Sequence, residues 1–365
     1  MNRKILAPIV TVILLVGVGI AVYFSMSEQF ALHSQTEITG LVGSEKIPFF
    51  SDPEVIEALG KHGLLVKVEK AGSRQIAMRS DLKNYDFAFP AGVPAAEKIK
   101  REQNVHKSHP IFFTPMTIAS WKMIADILKE NGIVEQRDTI HYIVNLEKLL
   151  QMIVAETRWS DLNKSENYSV NKGILITSTD IRKSNSAAMY LSLASFILNG
   201  NQVITSEQEI QKHFSDISSL FLRQGYMESS SAGPYNDYLV MGPGKSPMVM
   251  VYESQFLHDA ALPDSVIRDE MLLLYPEPTV FTKHILLPFS EAGEKLAEAL
   301  VNDPVLQELA IKHGFRNKNI AKFRAFVKQS GLAVPDTLVK VVEPPSYEIL
   351  EGIIQLIEQK YQEQM

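Results

Sequence analysis

The chain has 365 residues, more than one ordinary hydrophobic core accommodates, so two domains are expected. A formal net charge of -6, without a long basic stretch, excludes a nucleic-acid-binding surface, while 45% hydrophobic and 21% charged residues indicate a folded protein. The lack of cysteine excludes disulfides, cysteine-ligated zinc, thiol catalysis and a lipid-modified cysteine.

An uncharged apolar segment lies near the N-terminus, from Ile5 to Phe24, and follows Arg3 and Lys4. It is long enough to cross ~30 Å of hydrocarbon, and the flanking positive charges place the N-terminus inside. We therefore predict that residues 1–30 form a single-pass membrane anchor, with the rest of the chain in the periplasm or extracellular. Cleavage as a signal peptide is the alternative, and it would secrete the protein to the periplasm.

Strands and helices alternate along the first part of the chain, which predicts a parallel sheet with crossover helices. A helix should begin at the Asp52-Pro53 cap and end before Gly63. Extended segments are expected at 36–42, 64–68, 85–89, 109–116, 139–144, 173–179, 238–241, 248–252, 271–275 and 281–287, and further helices at 118–130, 146–157, 184–198, 206–224, 290–300, 304–313 and from 347.

Several of the predicted strands end in small polar clusters. These are Ser44-Glu45, Ser73-Arg74, Pro90-Ala91-Gly92, Thr177-Ser178-Thr179-Asp180 and Tyr252-Glu253-Ser254. Ligands bind at the carboxyl ends of strands in open parallel sheets, so these clusters are candidates for one shared site.

Ser184-Asn185-Ser186 opens a helix directly after the cluster at 177–180. The first amides of a helix lack internal partners and carry the positive end of its dipole, so this helix start is a candidate anion pocket. Serine and asparagine are also ordinary N-cap residues, and the sequence leaves both interpretations open.

The order of these blocks resembles the type 2 periplasmic solute-binding proteins, the substrate-binding components of ABC importers. The matching stretches are Thr39 to Lys46, the unit ending in Ser184-Asn185-Ser186, Val251 to Gln255, Leu274 to Thr279, His284 to Gly293, and Lys312 to Arg316. The resemblance covers roughly residues 36–316.

The resemblance implies two α/β domains joined by a hinge, with an interdomain ligand cleft. Domain one would comprise 36–112 with 280–330, and domain two 113–279, with crossings near Pro110–Thr117 and Tyr275–Thr282. Residues 331–365 would be a C-terminal tail carrying an amphipathic helix.

On this basis twelve residues are predicted to bind the ligand. They are Ser44, Glu45, Ser73, Arg74, Ser178, Thr179, Asp180, Ser184, Asn185, Ser186, Tyr252 and Glu253. Arg74 would clamp an oxyanion, and Tyr252 would contact the ligand through its ring and hydroxyl. Glu253 conflicts with a bare anion, and it would instead accept a protonated oxyanion or an amine, or pair with Arg74.

Other chemistry finds little support in the sequence. The stretch 241–246 lacks the first glycine of a P-loop, and no carboxylate accompanies His106 and His109 to complete a metal site. We therefore predict no cofactor, no metal, no catalytic residue and no nucleic-acid partner.

The leading hypothesis is an extracytoplasmic solute-binding protein, not an enzyme, that captures a small polar ligand or ion for ABC-type import or sensing. An oxyanion or another small anion is favoured, and a membrane permease is a possible partner. The alternatives are a membrane-tethered interaction module that has lost the ligand, and an extracytoplasmic hydrolase using Ser44 or Ser178, for which no histidine base is evident.

Overall fold

The computed structural model describes residues 35–168, 170–225, 227–338 and 340–364. Its strands are β1 Thr36–Val42, β2 Leu64–Lys70, β3 Phe87–Phe89, β4 His109–Trp121, β5 Val134–Arg137, β6 Ile140–Ile143, β7 Met248–Tyr252, β8 Met271–Pro276, β9 Thr279–Pro288 and β10 Val341–Val342.

The helices are named in chain order. They are α1 Ile47–Ser51, α2 Pro53–Lys61, α3 Ser73–Ala77, α4 Val93–Gln103, α5 Lys122–Glu130, α6 Leu146–Val154, α7 Asn185–Leu198, α8 Glu207–Leu222, α9 Ala232–Met241, α10 Glu253–Ala261, α11 Glu291–Asn302, α12 Pro304–Lys312, α13 Ile320–Ser330 and α14 Tyr347–Gln364.

The strands follow the order β2-β1-β3-β9-β4-β8-β6-β5, with β7 paired to β4 and β10 to β9. Strand β1 runs parallel to both β2 and β3, so their carboxyl ends share one edge, as the alternating pattern predicted. The long strand β4 pairs antiparallel with β9 over its first half and with β7 and β8 over its second half.

Buried apolar side chains divide the structure into two lobes. Lobe one, residues 36–112 and 283–316, has core side chains such as Phe49, Phe112 and Leu296. Lobe two, residues 116–280 and 320–364, has one larger core that includes Trp121 and Leu191. Strands β4 and β9 pair with each other and have residues in both lobes. The exact domain boundaries stay a prediction.

Three local predictions are wrong. The helix predicted at 118–130 begins only at Lys122, because residues 118–121 continue strand β4. The segment 238–241, predicted as a strand, belongs to helix α9, because an apolar run this short does not separate the two periodicities. The segment 173–179 is not a regular strand either. It makes isolated bridges from Gly173 and Thr177, the second to Val249 of β7.

The C-terminal segment packs more closely than a tail would. Leu350, Ile353, Ile354 and Ile357 of α14 are almost completely buried in the core of lobe two. Helix α13, predicted with domain one, also contributes Phe323 and Val327 to that core. The apolar stripe of α14 is thus covered by its own chain.

The localisation prediction requires correction. Within the described residues no helix is both long enough and apolar enough to cross a membrane, so single-pass anchoring is not supported. The segment 5–24, on which that prediction rested, lies outside the described residues, as does the whole of the predicted anchor 1–30.

Candidate functional site between the two lobes

The two lobes meet along one surface, here called the interlobe seam. Residues Gly72–Gln75 and Ala91–Gly92 of lobe one face Lys183–Asn185 of lobe two. The amides of Arg74 and Gln75 donate to the Lys183 carbonyl at 3.1 and 3.3 Å. The Asn185 side chain lies so close to Gly92 that a Cβ at position 92 would overlap it. The lobes are therefore in direct contact at the seam.

The start of helix α7 is buried at this seam. Ser184 occupies the N-cap position, but its side chain makes no hydrogen bond to the helix amides. Instead Ser184 Oγ lies 3.0 Å from Ser186 Oγ, which lies 2.8 Å from Thr179 Oγ1. These three hydroxyls, called the hydroxyl cluster, bond to one another and leave the first amides of α7 without a side-chain cap.

A second group of polar side chains, called the histidine cluster, consists of Glu45, Lys46, Asn185, Tyr252 and His284. Lys46 Nζ bonds Glu45 and donates to His284 Nδ1 at 2.9 Å. The Tyr252 ring stands edge-on to His284, with 5.7 Å between the ring centroids. Asn185 Nδ2 donates to the Tyr252 hydroxyl at 3.1 Å. The group therefore joins the short turn after β1 to β7, β9 and α7.

Burial decides the protonation of the histidine cluster. Burial, and next the positive charge of Lys46, lower the pKa of His284 to about 4. Although burial opposes the charge of Glu45, attraction to Lys46 holds the pKa of this carboxyl well below its usual range. Burial, followed by the charge of Glu45, raises the pKa of the Tyr252 hydroxyl. Tyr252 and His284 are accordingly neutral near pH 7.

The predicted residues Ser73 and Arg74 sit at the start of α3. The Ser73 hydroxyl accepts from the Ala91 amide at 2.8 Å, and so holds the loop after β3. Arg74 forms a two-bond pair with Glu351 of α14, with 2.9 Å between Nη2 and Oε2. The expectation that Arg74 pairs with Glu253 is wrong, because the Arg74 guanidinium is bonded to the carboxylate of Glu351.

Glu253 has a different partner. Its carboxylate accepts from Arg316 at 2.7 and 2.9 Å and from the Tyr275 hydroxyl at 2.9 Å, and it is fully buried. Arg316 Nη2 also donates to the Pro335 carbonyl. The carboxylate is thus committed to an ion pair within the protein.

The remaining predicted residues are also buried. Asp180 accepts from Arg182 at 2.9 and 2.8 Å, and although burial opposes its charge, these bonds lower its pKa. Ser178 donates its amide to Gln224 at 2.8 Å. Ser44 Oγ, Ser178 Oγ and Arg74 Nε have no hydrogen-bond partner among the described residues. Buried groups of this kind are expected to find a partner, and a ligand can supply one.

The structure thus brings Glu45, Asn185 and Tyr252 together, and separately Thr179, Ser184 and Ser186. Sequence analysis missed Lys46, His284 and Glu351. The signal for His284 was a polar side chain inside the apolar extended segment predicted at 281–287. A cavity of about 730 Å³ opens on lobe one between Asn104 and Glu294 and includes none of the twelve predicted residues.

No group of three or more histidine, aspartate or glutamate side chains within the described part of the chain is arranged to hold a metal ion. The carboxylates of Glu45, Asp180, Glu253 and Glu351 each have a cationic partner instead. The arrangement is therefore suited to binding by hydrogen bonds from hydroxyls and amides.

Solved structures show the same fold. The sulfate-binding protein SubI from Mycobacterium tuberculosis H37Rv is 15% identical, with a TM-score of 0.55 over 83% of this chain and 93% of that one. An ABC transporter solute-binding protein from Thermotoga lettingae TMO, bound with α-D-tagatose, is 14% identical, with a TM-score of 0.54 over 91% and 95%. The apo ferric ion-binding protein A of Pasteurella haemolytica is 10% identical, with a TM-score of 0.52 over 89% and 96%.

No protein-family model and no curated protein sequence matches the chain. The fold expected from the order of the sequence blocks, that of the ABC-transporter solute-binding proteins, is confirmed by these structures. Their ligands differ from one another, so the ligand of this chain is a separate question.

Proposed function

We propose that this protein is a solute-binding protein that takes a small oxyanion into the interlobe seam and performs no chemical step. The start of α7 carries the proposal, because its amides lack a side-chain cap and the hydroxyl cluster lies beside them. A helix start of this kind favours negative charge and offers free N–H donors to anion oxygens.

The charges at the seam support an anion. Glu45 is paired with Lys46, Asp180 with Arg182 and Glu253 with Arg316. Each pairing removes a negative charge that would repel an anionic ligand. The objection that Glu253 raised at the sequence level therefore no longer applies.

Side-chain hydrogen-bond donors without a partner, found on both lobes, also support ligand binding at the seam. Ser44 Oγ and Arg74 Nε belong to lobe one and Ser178 Oγ to lobe two, and none has a hydrogen-bond partner among the described residues. A ligand bound between the lobes would supply acceptors to both sides. This explains why groups that are costly to bury without a partner are retained there.

Ligand entry requires the lobes to separate, because Arg74 and Gln75 are bonded to Lys183 across the seam. The two strands β4 and β9 that link the lobes are the natural hinge. We further propose that the bound solute is delivered to an ABC importer, as the descriptions of the similar structures suggest.

Titration calorimetry on the full chain tests the proposal, with sulfate, phosphate, small carboxylates and the neutral polyols mannitol and ribitol as probes. Binding of one of the anions is expected, with a gain in unfolding free energy of about 2.7 kcal/mol at a hundredfold excess over Kd. Binding of a polyol but of none of the anions would contradict the proposal that the ligand is an anion, but would agree with the solute-binding role. No binding by any probe would contradict both.

A further inference from the structure

Helix α14 lies across both lobes. One of its faces belongs to lobe two, where Leu350, Ile353, Ile354 and Ile357 are buried in the core beside α8. Its C-terminal end is held there as well, because the Tyr361 hydroxyl donates to the Phe221 carbonyl at 2.9 Å. The helix is therefore fixed to lobe two along most of its length.

A different face of α14 binds lobe one through two acidic residues one turn apart. Glu351 accepts two hydrogen bonds from Arg74, and Glu348 accepts one from Arg101 at 2.6 Å. The two pairs differ in burial. The side chains of Arg74 and Glu351 are 10% and 17% exposed, whereas those of Arg101 and Glu348 are 59% and 62% exposed.

The difference in exposure indicates which of the two ion pairs contributes more to holding the lobes together. A two-bond arginine–carboxylate pair with little solvent access is fixed in geometry and weakly screened, whereas an exposed pair contributes little. Arg74 also donates its backbone amide to Lys183, so one residue of lobe one is bound by two separate segments of lobe two. Arg74 therefore contacts lobe two through both its backbone and its side chain.

We propose that α14 is a strap that holds the two lobes closed in the absence of ligand, and that the Arg74–Glu351 pair is its lock. The apolar face of the helix anchors the strap on lobe two, and the carboxylate holds lobe one. Loss of the lock leaves the helix in place but removes its strongest contact with the opposite lobe.

The test measures the distance between the lobes in the full chain without ligand. The chain has no cysteine, so spin labels attach only at two introduced positions, Val305→Cys on lobe one and Val240→Cys on lobe two, which are both exposed. Pulsed electron paramagnetic resonance then compares the distribution of distances between the two labels in the doubly labelled parent and in the same protein with Glu351→Gln. The matched control is Glu348→Gln, on the same helix at the exposed pair.

Glu351→Gln should raise the population of a longer interlobe distance about tenfold, while Glu348→Gln should leave the distribution unchanged. Exchanging the charges, Arg74→Glu with Glu351→Arg, should restore the short distance, and circular dichroism verifies that each variant is folded. An unchanged distribution in Glu351→Gln, or the same shift in both variants, would overturn the proposal. Because no ligand is used, this result is independent of the ligand-binding test.

Discussion

The hydroxyls of Ser184 and Ser186 lie 3.0 Å apart, so the residue at the N-cap of α7 bonds a side chain within the helix and not a backbone amide. Of the two interpretations that the sequence left open, side-chain capping by Ser184 is thus not observed, and ligand binding stays a prediction. A serine that caps stabilises the helix, whereas a serine that does not is free to contribute to ligand binding.

The double variant Ser184→Ala with Ser186→Ala should lose ligand affinity at least tenfold while its unfolding free energy changes by less than about 1 kcal/mol. Calorimetry and urea unfolding measure the two quantities. The control is Ser206→Ala on α8, whose hydroxyl accepts from the Glu209 amide at 3.3 Å. That variant should lose about 1 kcal/mol of stability and keep its affinity. The reverse pattern would mean that Ser184 and Ser186 act only structurally.

Gly92→Ala should hinder closure of the lobes, because the new Cβ would overlap the Asn185 side chain across the seam. Gly132→Ala is the matched control, since both glycines have a positive φ (87° and 69°) but Gly132 has nothing within 4 Å. The positive φ alone should cost both variants some stability, so the free energy of unfolding is not the deciding measurement. Only Gly92→Ala should also lengthen the interlobe distance and weaken ligand binding. Equal behaviour of the two variants would contradict the Asn185 contact.

Glu253→Gln should lower the unfolding free energy by about 3–5 kcal/mol, because it leaves Arg316 buried without its counter-ion. Urea unfolding measures this loss, and the double variant with Arg316→Met should recover part of it. Glu308→Gln breaks an exposed pair with Lys322 and should cost less than about 1 kcal/mol. A loss of ligand affinity with unchanged stability would instead return Glu253 to the binding site.

Stability should fall as the pH drops from about 6.5 to 4. His258 stacks on His313 with 4.7 Å between ring centroids, and burial, followed by the charge of His313, lowers the pKa of His258 to about 4. The unfolded chain then binds more protons than the folded one in this range, so acid favours unfolding.

For His258 the expected loss between pH 7.5 and pH 5 is about 2 kcal/mol. Urea unfolding of His258→Gln should show a shallower pH dependence than the parent, while the exposed His106→Gln serves as control and should match it. If the free energy of unfolding depended on pH equally in the parent and in His258→Gln, the proposed difference in the pKa of His258 between the folded and unfolded states would be wrong.

Much of the fold follows from local sequence signals. Alternation of apolar runs with capped helices predicted the parallel arrangement of β1, β2 and β3, and Asp52 caps α2 as expected, accepting from the Glu54 amide at 2.7 Å. The proline-bracketed segments near 110–117 and 275–282 include parts of the paired strands β4 and β9, and their role as a hinge stays a prediction. These features depend on residues that are close to one another in the sequence, so they can be predicted without knowledge of the tertiary structure.

The sequence by itself determined that polar residues follow the strands at 44–45, 73–74 and 252–253, and that a polar helix start lies at 184–186. Only the tertiary structure decided their partners: Arg74 binds Glu351, 277 residues away, and Glu253 binds Arg316. It also brought Lys46 and His284 together, 238 residues apart. Charge pairing inside a protein depends on which side chains share a buried volume, and that depends on how the lobes and α14 pack, which residue spacing does not encode.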